Sequence, residues 1–436
     1  MKKLLFLLFG LLTLLPVSAQ INGKNIVVMV QPDHKDWNYR VGEKARFTVS
    51  VLKSSTLLNN VEVTYEAGPE MYPDVKKTTV LKDGTMTWTG TMRQPGFYRL
   101  KVVAKVGGKE YDGACTAAFS PEQLKPTTTE PHDFDAFWTK TLEEARWTSL
   151  SPQRTLLPER SSEDVNVYQV SFQNLRWGSR TYGILSVPAR PGRYPALLRV
   201  PGAGVRPYSG DTYTAPTKAI VLEIGIHGVD VTQPQAFYDN LMNGALNNYW
   251  NFGMDDRNQC YYKRVIVGCV RAVDYIASLP EWDGKTIGVT GSSQGGFLSY
   301  ATAALDQRVT FVAAVHPALC DHTASLQGVA CGWPHYFYWR SAEGRSQGEN
   351  KGKGAERQIE TSRYYDGVNF ARRIKCPTWV SFGYNDDVVP PTTAYATYNT
   401  LTCPKTLSVY QQTAHFWYQE QWDEWLSWMR KQMNVE

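Results

Sequence analysis

The sequence predicts an all-β immunoglobulin-like sandwich followed by a larger α/β domain with a doubly wound, mostly parallel sheet. Two observations predict this arrangement. From residue 25 to about residue 120, short segments with alternating apolar and polar residues are separated by turn residues, which is typical of an antiparallel sandwich. Beyond residue 133, apolar strand-like runs alternate with helical stretches, which indicates a mostly parallel sheet covered by helices. The chain has 436 residues, enough for one domain of each kind.

The N-terminus has the pattern of a secretory signal peptide. Lys2 and Lys3 precede an apolar block over residues 4–15, and small residues follow at positions 17–19. A positive start, a short apolar stretch and a small-residue cleavage site are typical of such peptides, and the block is too short to span a bilayer. The sequence therefore predicts a signal peptide over residues 1–19 and export, to the periplasm or out of the cell, as a bacterial Sec substrate.

Residues 20–120 are predicted to form the sandwich. Exposed Trp and Tyr side chains of such a domain could bind carbohydrate, and the alternative is a structural cap on the next domain. A polar, proline-marked linker is predicted at residues 121–132. The strand-like segments of the sandwich lie at residues 47–51, 61–65, 86–90 and 96–103.

The α/β domain is predicted over residues 133–436. It opens with a helix, because apolar residues recur at helical spacing between Phe134 and Ala145, and Asp133 is placed to cap that helix. A second helix is predicted at residues 261–278. The strand-like runs lie at residues 196–200, 218–223, 286–290, 377–383 and 407–410.

Composition excludes several kinds of function. The chain has 46 Lys and Arg residues against 41 Asp and Glu residues, without a basic stripe, so no nucleic-acid partner is predicted. No later apolar run is long enough for membrane insertion. The cysteines and histidines show no metal-binding spacing, so neither a metal nor a cofactor is expected. Cys320 and Cys331 could form a disulfide, and a homo-oligomer is possible.

The most informative segment places Gly-x-Ser-x-Gly between an apolar strand and a helix, with Ser293 at its centre. A sharp strand-to-helix turn lifts the serine hydroxyl above the sheet, and only glycine at positions 291 and 295 relieves the backbone crowding there. Such a turn carries the nucleophile of α/β-hydrolases. The α/β domain is therefore predicted to have the α/β-hydrolase fold.

A serine nucleophile requires a base and an orienting carboxylate, which follow the serine in the order acid, then histidine on this fold. His415 is the only histidine left after those that precede Ser293 or follow it too soon are removed. Asp386 and Asp387 both come after a buried strand, and spacing does not separate them. Asp366 is a weaker candidate.

The developing oxyanion of acyl transfer requires backbone NH donors. Two places offer them. The first is Gln294, directly after the nucleophile at the start of its helix. The second is the glycine-containing turn at residues 201–204, where the NH of Ala203 is best placed.

Together these residues resemble the acetyl xylan esterase and cephalosporin C deacetylase family of α/β-hydrolases from about residue 130 onward. The resemblance implies that Asp386, before Pro-Pro, is the acid, and that the activity is deacetylation of esterified sugars without a cofactor. It is carried by FDAFW at 134–138, RAVDY at 271–275, GSSQGG at 291–296, YDGVNFARRI at 365–374, DDVVPP at 386–391, and His415.

The chain departs from that family at positions that flank the acyl and alcohol pockets. Pro201 stands where the family usually has His, residues 225–228 replace an Arg-Gly-Gln element, and Phe416 replaces a Glu. His227 thereby becomes either a substrate contact or a structural histidine. An insertion over the site is predicted at residues 320–365, and its aromatic residues could hold a glycan or pack onto their own domain.

The sequence as a whole predicts an exported serine esterase that removes O-acetyl groups from xylan-like or pectin-like glycans through an acyl-enzyme. The expected partner is an acetylated oligosaccharide or polysaccharide. Two alternatives stay open. One is an esterase for another sugar ester, methyl or hydroxycinnamoyl, and the other is a catalytically silent glycan-binding protein.

Overall fold

The computed structural model describes residues 25–339, 346–347 and 353–435. The predicted signal peptide at residues 1–19 lies outside the described residues, as does part of the predicted insertion at residues 320–365. Within the described residues, every helix is too short or too polar to cross a bilayer.

Nine strands form two β-sheets between residues 25 and 119. In the first sheet, β3 pairs with β1, β4 and β7; in the second, the order is β2-β9-β8-β5-β6. This β-rich region is compatible with the predicted sandwich, whose immunoglobulin-like type and boundaries stay predictions. The strands are β1 (Ile26–Pro32), β2 (Asn38–Tyr39), β3 (Ala45–Lys53), β4 (Thr56–Leu57), β5 (Val61–Pro69), β6 (Val75–Leu81), β7 (Thr85–Gly90), β8 (Gly96–Val106) and β9 (Lys109–Phe119).

The alternating sequence pattern explains how the two sheets pack. Along β3 and β8, every second side chain is buried and those between are mostly partly or fully exposed. Phe47 and Val49 of β3 belong to the same core cluster as Leu100 and Val102 of β8. Burial of such apolar side chains stabilises the fold by roughly 1.5–3 kcal/mol each.

The rest of the chain is built on one nine-stranded sheet, in the order β10-β11-β12-β14-β13-β15-β16-β19-β20. The pairs from β10 to β14 are antiparallel and the pairs from β14 to β20 are parallel, which confirms the mostly parallel sheet. The strands are β10 (Gln153–Leu156), β11 (Val165–Gln173), β12 (Arg180–Pro188), β13 (Tyr194–Arg199), β14 (Ile220–Gly225), β15 (Trp282–Ser292), β16 (Phe311–Val315), β17 (Tyr338–Trp339), β18 (Ser346–Gln347), β19 (Thr378–Phe382) and β20 (Lys405–Val409), with β17 and β18 forming a separate pair.

Eight helices accompany these strands in the described part of the chain. The predicted helices at residues 134–145 and 261–278 are confirmed as α1 and α3. The helices are α1 (Phe134–Arg146), α2 (Gln235–Asn243), α3 (Tyr261–Ala277), α4 (Gln294–Leu305), α5 (Lys353–Tyr364), α6 (Gly367–Ala371), α7 (Pro391–Thr400) and α8 (Gln419–Met433).

One local prediction is wrong. Asp133 precedes α1, but its side chain makes no cap hydrogen bond; its carboxylate accepts hydrogen bonds from Arg257 and Tyr364 instead. A cation and a phenol supply stronger donors than the helix NH groups. Cys320 and Cys331, which could have formed a disulfide, are both free cysteines: the Cys320 thiol donates to the carbonyl of Ala318, and the sulfur of Cys331 lies 3.7 Å from His335 Nδ1.

The parallel strands bring their carboxyl ends to one edge of the sheet. Ser292 at the end of β15 is in register with Val315 of β16, which in turn is in register with Ser381 of β19. Phe382, the last residue of β19, pairs with Val409 of β20. In open parallel sheets, ligands bind just beyond this edge, so the loops that follow these four strands define the place to look for a site.

Candidate active site

Ser293 lies between β15 and α4 in a conformation that non-glycine residues rarely adopt, with φ 61° and ψ −121°. Its NH donates to the carbonyl of Val315 at 2.8 Å, which helps to hold this strained turn. A Cβ atom at Gly291 would lie 2.5 Å from the carbonyl oxygen of Val200, and one at Gly295 would lie 2.4 Å from the same oxygen. The predicted need for glycine on both sides of Ser293 is therefore confirmed.

Asp386 and His415 meet on the loops after β19 and β20. The distance from His415 Nδ1 to Asp386 Oδ2 is 2.8 Å, and Asp386 Oδ1 accepts from the NH groups of Val388 and Val389 at 2.9 and 2.8 Å. Because a carboxylate only accepts, Nδ1 carries the proton and Nε2 is left as an acceptor. Asp387 is exposed, whereas Asp386 is fully buried, so the structure brings Asp386 and not Asp387 to the histidine.

The weaker acid candidate, Asp366, lies elsewhere and holds backbone. It is fully buried at the start of α6, where its side chain accepts from the NH of Val368. It also accepts from the NH groups of Asp321 and His322, both at 2.9 Å. These bonds give it a structural role.

His316 is a site residue that the sequence analysis missed, because it follows Ser293 too closely to be the base. Its Nδ1 lies 3.7 Å from Asp386 Oδ2, and its ring centroid lies 4.9 Å from that of His415. Burial lowers the pKa of His316 to about 4, so it is neutral near pH 7. The available signal was its position directly after β16, at the same sheet edge as Ser293.

One side-chain nitrogen or oxygen atom from each of His316, Asp386 and His415 lies within 4.8 Å of the other two. A metal ion could use such a donor set. However, both carboxylate oxygens of Asp386 already accept hydrogen bonds, from His415 on one side and from two backbone NH groups on the other. The arrangement suits a histidine held by a carboxylate for proton transfer.

The side chain of Gln294 fixes the turn at residues 201–204. It is fully buried, and its Oε1 accepts from the hydroxyls of Tyr249 and Tyr262 at 2.7 and 2.8 Å. Its Nε2 donates to the carbonyls of Pro201 and Gly202 at 3.2 and 3.4 Å. The residue after Ser293 is thus bonded directly to the turn that contains the other predicted oxyanion donor.

Two NH groups at this point remain available to a ligand. The NH of Ser293 donates to a strand carbonyl, and that of Gly204 donates to the Tyr249 hydroxyl at 3.3 Å. Across the residues that the structure describes, the NH groups of Ala203 and Gln294 donate to no protein acceptor. Free NH groups on two adjacent turns are what an oxyanion requires.

His227 is bonded to protein through both ring nitrogens. Its Nε2 lies 2.9 Å from the carbonyl oxygen of Gly204, and its Nδ1 lies 2.7 Å from the hydroxyl of Tyr261. Burial lowers the pKa of His227 to about 4, so the ring is neutral, with Nε2 donating and Nδ1 accepting. This geometry favours the structural alternative, in which His227 supports the turn at residues 201–204.

The aromatic residues of the predicted insertion pack onto their own chain. The hydroxyl of Tyr336 donates to the carbonyl of Trp250 at 2.7 Å, and that of Tyr338 donates to the carbonyl of Met71 at 2.9 Å. The rings of Trp250 and Trp333 lie 5.2 Å apart. These contacts favour packing over glycan binding for this stretch.

A cavity of about 570 Å³ opens beside His415. Its walls combine aromatic faces with charged groups, which suits a ligand that is polar at its edges and apolar on its faces. Phe416 and Trp422 are 48% and 38% exposed, as expected for side chains that border a binding cavity. The aromatic and charged residues that line it are Tyr208, Tyr213, Phe416, Trp417, Trp422, Trp425, Arg199, Arg206, Glu223, His316 and His415.

The sheet order, the serine at its strained turn and the bonded acid and histidine on the last two strand loops define an α/β-hydrolase. The sequence model of the acetyl xylan esterase (AXE1) family matches residues 121–432. The chain is also 38% identical to acetyl esterase Axe7A of Xylanibacter ruminicola, over 99% of this chain and 97% of the relative. It belongs to the acetyl xylan esterase family, so the predicted carbohydrate esterase acting on acetyl groups is confirmed.

Two solved structures are similar to this chain. An acetyl xylan esterase from Paenibacillus superposes with a TM-score of 0.60 at 27% identity, covering 71% of this chain and 98% of its own. Acetyl xylan esterase 1 from Thermoanaerobacterium superposes with a TM-score of 0.61 at 24% identity, covering 72% of this chain and 97% of its own. At this identity the likeness supports the fold and not a function. Nearly the whole length of each solved esterase is matched by this chain, whereas more than a quarter of this chain has no counterpart in either of them.

Proposed function

We propose that this chain is an exported serine esterase that removes O-acetyl groups from a xylan-like glycan, with Ser293, His415 and Asp386 as its catalytic residues. The 2.8 Å hydrogen bond between His415 and Asp386 is the main support for these roles. It lies at the same sheet edge as the turn that carries Ser293. Export rests on the signal peptide that the first nineteen residues predict.

In the proposed mechanism, the hydroxyl of Ser293 attacks the acetyl carbon while His415 Nε2 takes its proton. The oxyanion that forms accepts hydrogen bonds from the NH groups of Gln294 and Ala203. Collapse breaks the ester bond, and the sugar oxygen leaves with the proton from His415. Water then attacks the acyl-enzyme in the same way and releases acetate, while Asp386 stabilises the imidazolium in both steps.

The cavity beside His415 is the proposed place for the sugar that bears the ester. Trp417 and Trp422 offer ring faces for stacking, and Arg206 and Glu223 offer partners for sugar hydroxyls. Glu223 is partly buried, and this burial raises its pKa.

The proposal is tested by measuring acetate and methanol released from acetylated xylan, acetylated pectin and methyl-esterified pectin. The parent protein is expected to release acetate from the xylan, and Ser293→Ala to be slower by at least about 10⁴-fold. Methanol without acetate would contradict deacetylation.

A fluorophosphonate reagent provides the matching control for the nucleophile. Its label should map to Ser293 and not to the adjacent Ser292, because only Ser293 occupies the strained turn. A chain that takes no label, releases no product and still binds xylan would be the glycan-binding alternative.

A further inference from the structure

Arg99, on β8 of the β-rich region, reaches the loop that carries Asp386. Its Nη2 atom donates to the backbone carbonyl of Asp386 at 2.8 Å and to that of Tyr384 at 3.1 Å. The Arg99 side chain is only 15% exposed. A guanidinium that bridges two carbonyls in a nearly buried position fixes the backbone that it bonds.

The same loop has further contacts with the β-rich region. The hydroxyl of Thr116 donates to Asn385 Oδ1 at 3.0 Å, and Asn385 Nδ2 donates to the carbonyl of Ala114 at 3.1 Å. The ring of Tyr384 packs edge-on against Phe97, with centroids 5.0 Å apart. Three consecutive residues, 384 to 386, are therefore held from β8 and β9.

Arg99 is itself held in place by its neighbours. Its Nε donates to the Thr116 hydroxyl at 2.8 Å, and its Nη2 lies 3.5 Å from Glu70 Oε1. The other carboxylate oxygen of Glu70 accepts from the NH and hydroxyl of Thr392, at the start of α7. Both ends of the segment from residue 384 to residue 392 are thus attached to the β-rich region.

Catalysis by a hydrogen-bonded acid and histidine depends on their alignment, and a displacement of 1 Å can cost about 100-fold in rate. The NH groups of Val388 and Val389 fix one oxygen of the Asp386 carboxylate. They belong to the same loop, so they move with it. Arg99 is attached to a different part of the molecule and can hold the loop against the sheet.

We propose that Arg99 is a positioning residue, which holds the backbone of Asp386 so that its carboxylate stays bonded to His415. The β-rich region thereby completes the active site. This inference rests on the proposed role of Asp386. Arg99 itself lies outside the segment that the family model matches, which begins at residue 121.

The test compares Arg99→Ala and Arg99→Lys with Lys101→Ala, a control on the exposed part of the same strand. Values of kcat and KM are measured on acetylated xylooligosaccharides, together with thermal unfolding and the fraction of protein labelled at Ser293. Arg99→Ala should lower kcat about 10- to 100-fold, with KM changed less than about threefold. Added millimolar guanidinium should restore part of kcat, whereas Lys101→Ala should behave like the parent.

Arg99→Lys keeps the aliphatic stem and the positive charge, but it cannot donate to both carbonyls as the guanidinium does. It tests the proposal even if Arg99→Ala does not fold. The kcat of Arg99→Lys should fall, whereas its KM should stay close to that of the parent. A folded variant with unchanged kcat, or a kcat that falls only as the labelled fraction falls, would overturn the proposal. Asp386→Asn separates the proposed role of Asp386 from the proposed role of Arg99. If Asp386→Asn is fully active, the role of Asp386 is wrong. If Asp386→Asn is inactive while Arg99→Ala has normal activity, only the positioning role of Arg99 is refuted.

Discussion

Two adjacent carboxylates, Asp386 and Asp387, lie in different environments. That of Asp386 is fully buried and accepts hydrogen bonds from His415, Val388 and Val389. That of Asp387 is exposed to solvent. Because water screens an exposed charge strongly, the buried carboxylate is the one that the proposed mechanism assigns to orient the imidazole and stabilise its positive charge.

The first prediction separates these two residues. Asp386→Asn should lower kcat by about 10³- to 10⁴-fold, because an amide can hold His415 in the wrong tautomer and carries no charge to stabilise the imidazolium. Asp387→Asn is the matched control and should stay within about twofold of the parent. Both are measured as acetate release from acetylated xylooligosaccharides. Loss of activity in Asp387→Asn, but not in Asp386→Asn, would show that Asp387 is the acid.

His316 illustrates what residue order cannot reveal. The chain-order argument selected His415 as the base, and the structure places this histidine at hydrogen-bond distance from Asp386; the same argument excluded His316. Its place beside Asp386 follows from β16 and β19 being neighbours in the sheet, and pairing of distant strands is not encoded in local spacing. The sequence therefore offered only the position of His316 directly after β16, and neither its burial nor its contact with Asp386.

At the level of secondary structure, the turn after β13 and the turn after β15 touch through backbone. The carbonyl of Val200 lies close to both Gly291 and Gly295, and the side chain of Gln294 bonds the carbonyl of Pro201. The two predicted oxyanion donors are thus held by one backbone contact and one buried amide. This contact requires the absence of a side chain at the glycines.

The second prediction tests that contact with Gly295→Ala. The added methyl must displace the Val200 carbonyl, so the two turns should separate, with a loss of about 1–3 kcal/mol in unfolding free energy and at least about 100-fold in kcat. Gly192→Ala is the control, since its methyl would meet only the end of the Tyr194 side chain in an exposed loop. Chemical denaturation and acetate release provide the measurements. An active and stable Gly295→Ala would show that the turns tolerate separation.

Periodicity predicted the elements well, but it did not predict where they begin or how they are capped. The strand expected at residues 286–290 lies within β15, which begins earlier, at Trp282, because that residue pairs with Tyr194 of β13. The predicted cap at Asp133 failed because its competitor, Arg257, comes from a distant segment of the chain. Local patterns fix helix and strand, whereas ends and caps depend on contacts that only the folded chain supplies.

Across the whole molecule, the β-rich region is attached to the esterase sheet through polar contacts. Arg99 and Glu70 are central to them. In the sequence, Arg99 is simply a polar residue between apolar ones in a strand, and nothing in the pattern indicates that it faces another part of the protein. Of the two predicted roles for this region, these contacts favour the structural one and leave carbohydrate binding as a prediction.

The third prediction concerns Glu70. Burial raises its pKa from 4.5 to about 7, against the attraction of Arg99 and the hydrogen bonds from Thr392, while Asp386 adds repulsion. Between these two values the folded protein binds more protons than the unfolded chain, so stability from this group falls as the pH rises from 4.5 to 7. Relative to Glu70→Gln, the parent should lose about 1.4 kcal/mol of unfolding free energy for each pH unit over this range.

This difference is measured by urea denaturation of both proteins at several pH values. Above about pH 7 it should level off, because Glu70 is then ionised in both states. A difference between parent and Glu70→Gln that is the same at all pH values would contradict the assigned titration.

The hydrogen bond from Arg99 to Asp386 joins residues 287 positions apart. At about 5–20 residues per second, a ribosome needs roughly 15–60 s to make the intervening chain. Throughout that time the first two sheets can be complete, although the loop that carries Asp386 has not yet been synthesised. Assembly of the proposed catalytic centre is therefore among the last events of synthesis. We expect a chain that is released early to be inactive, even where its first two sheets are folded.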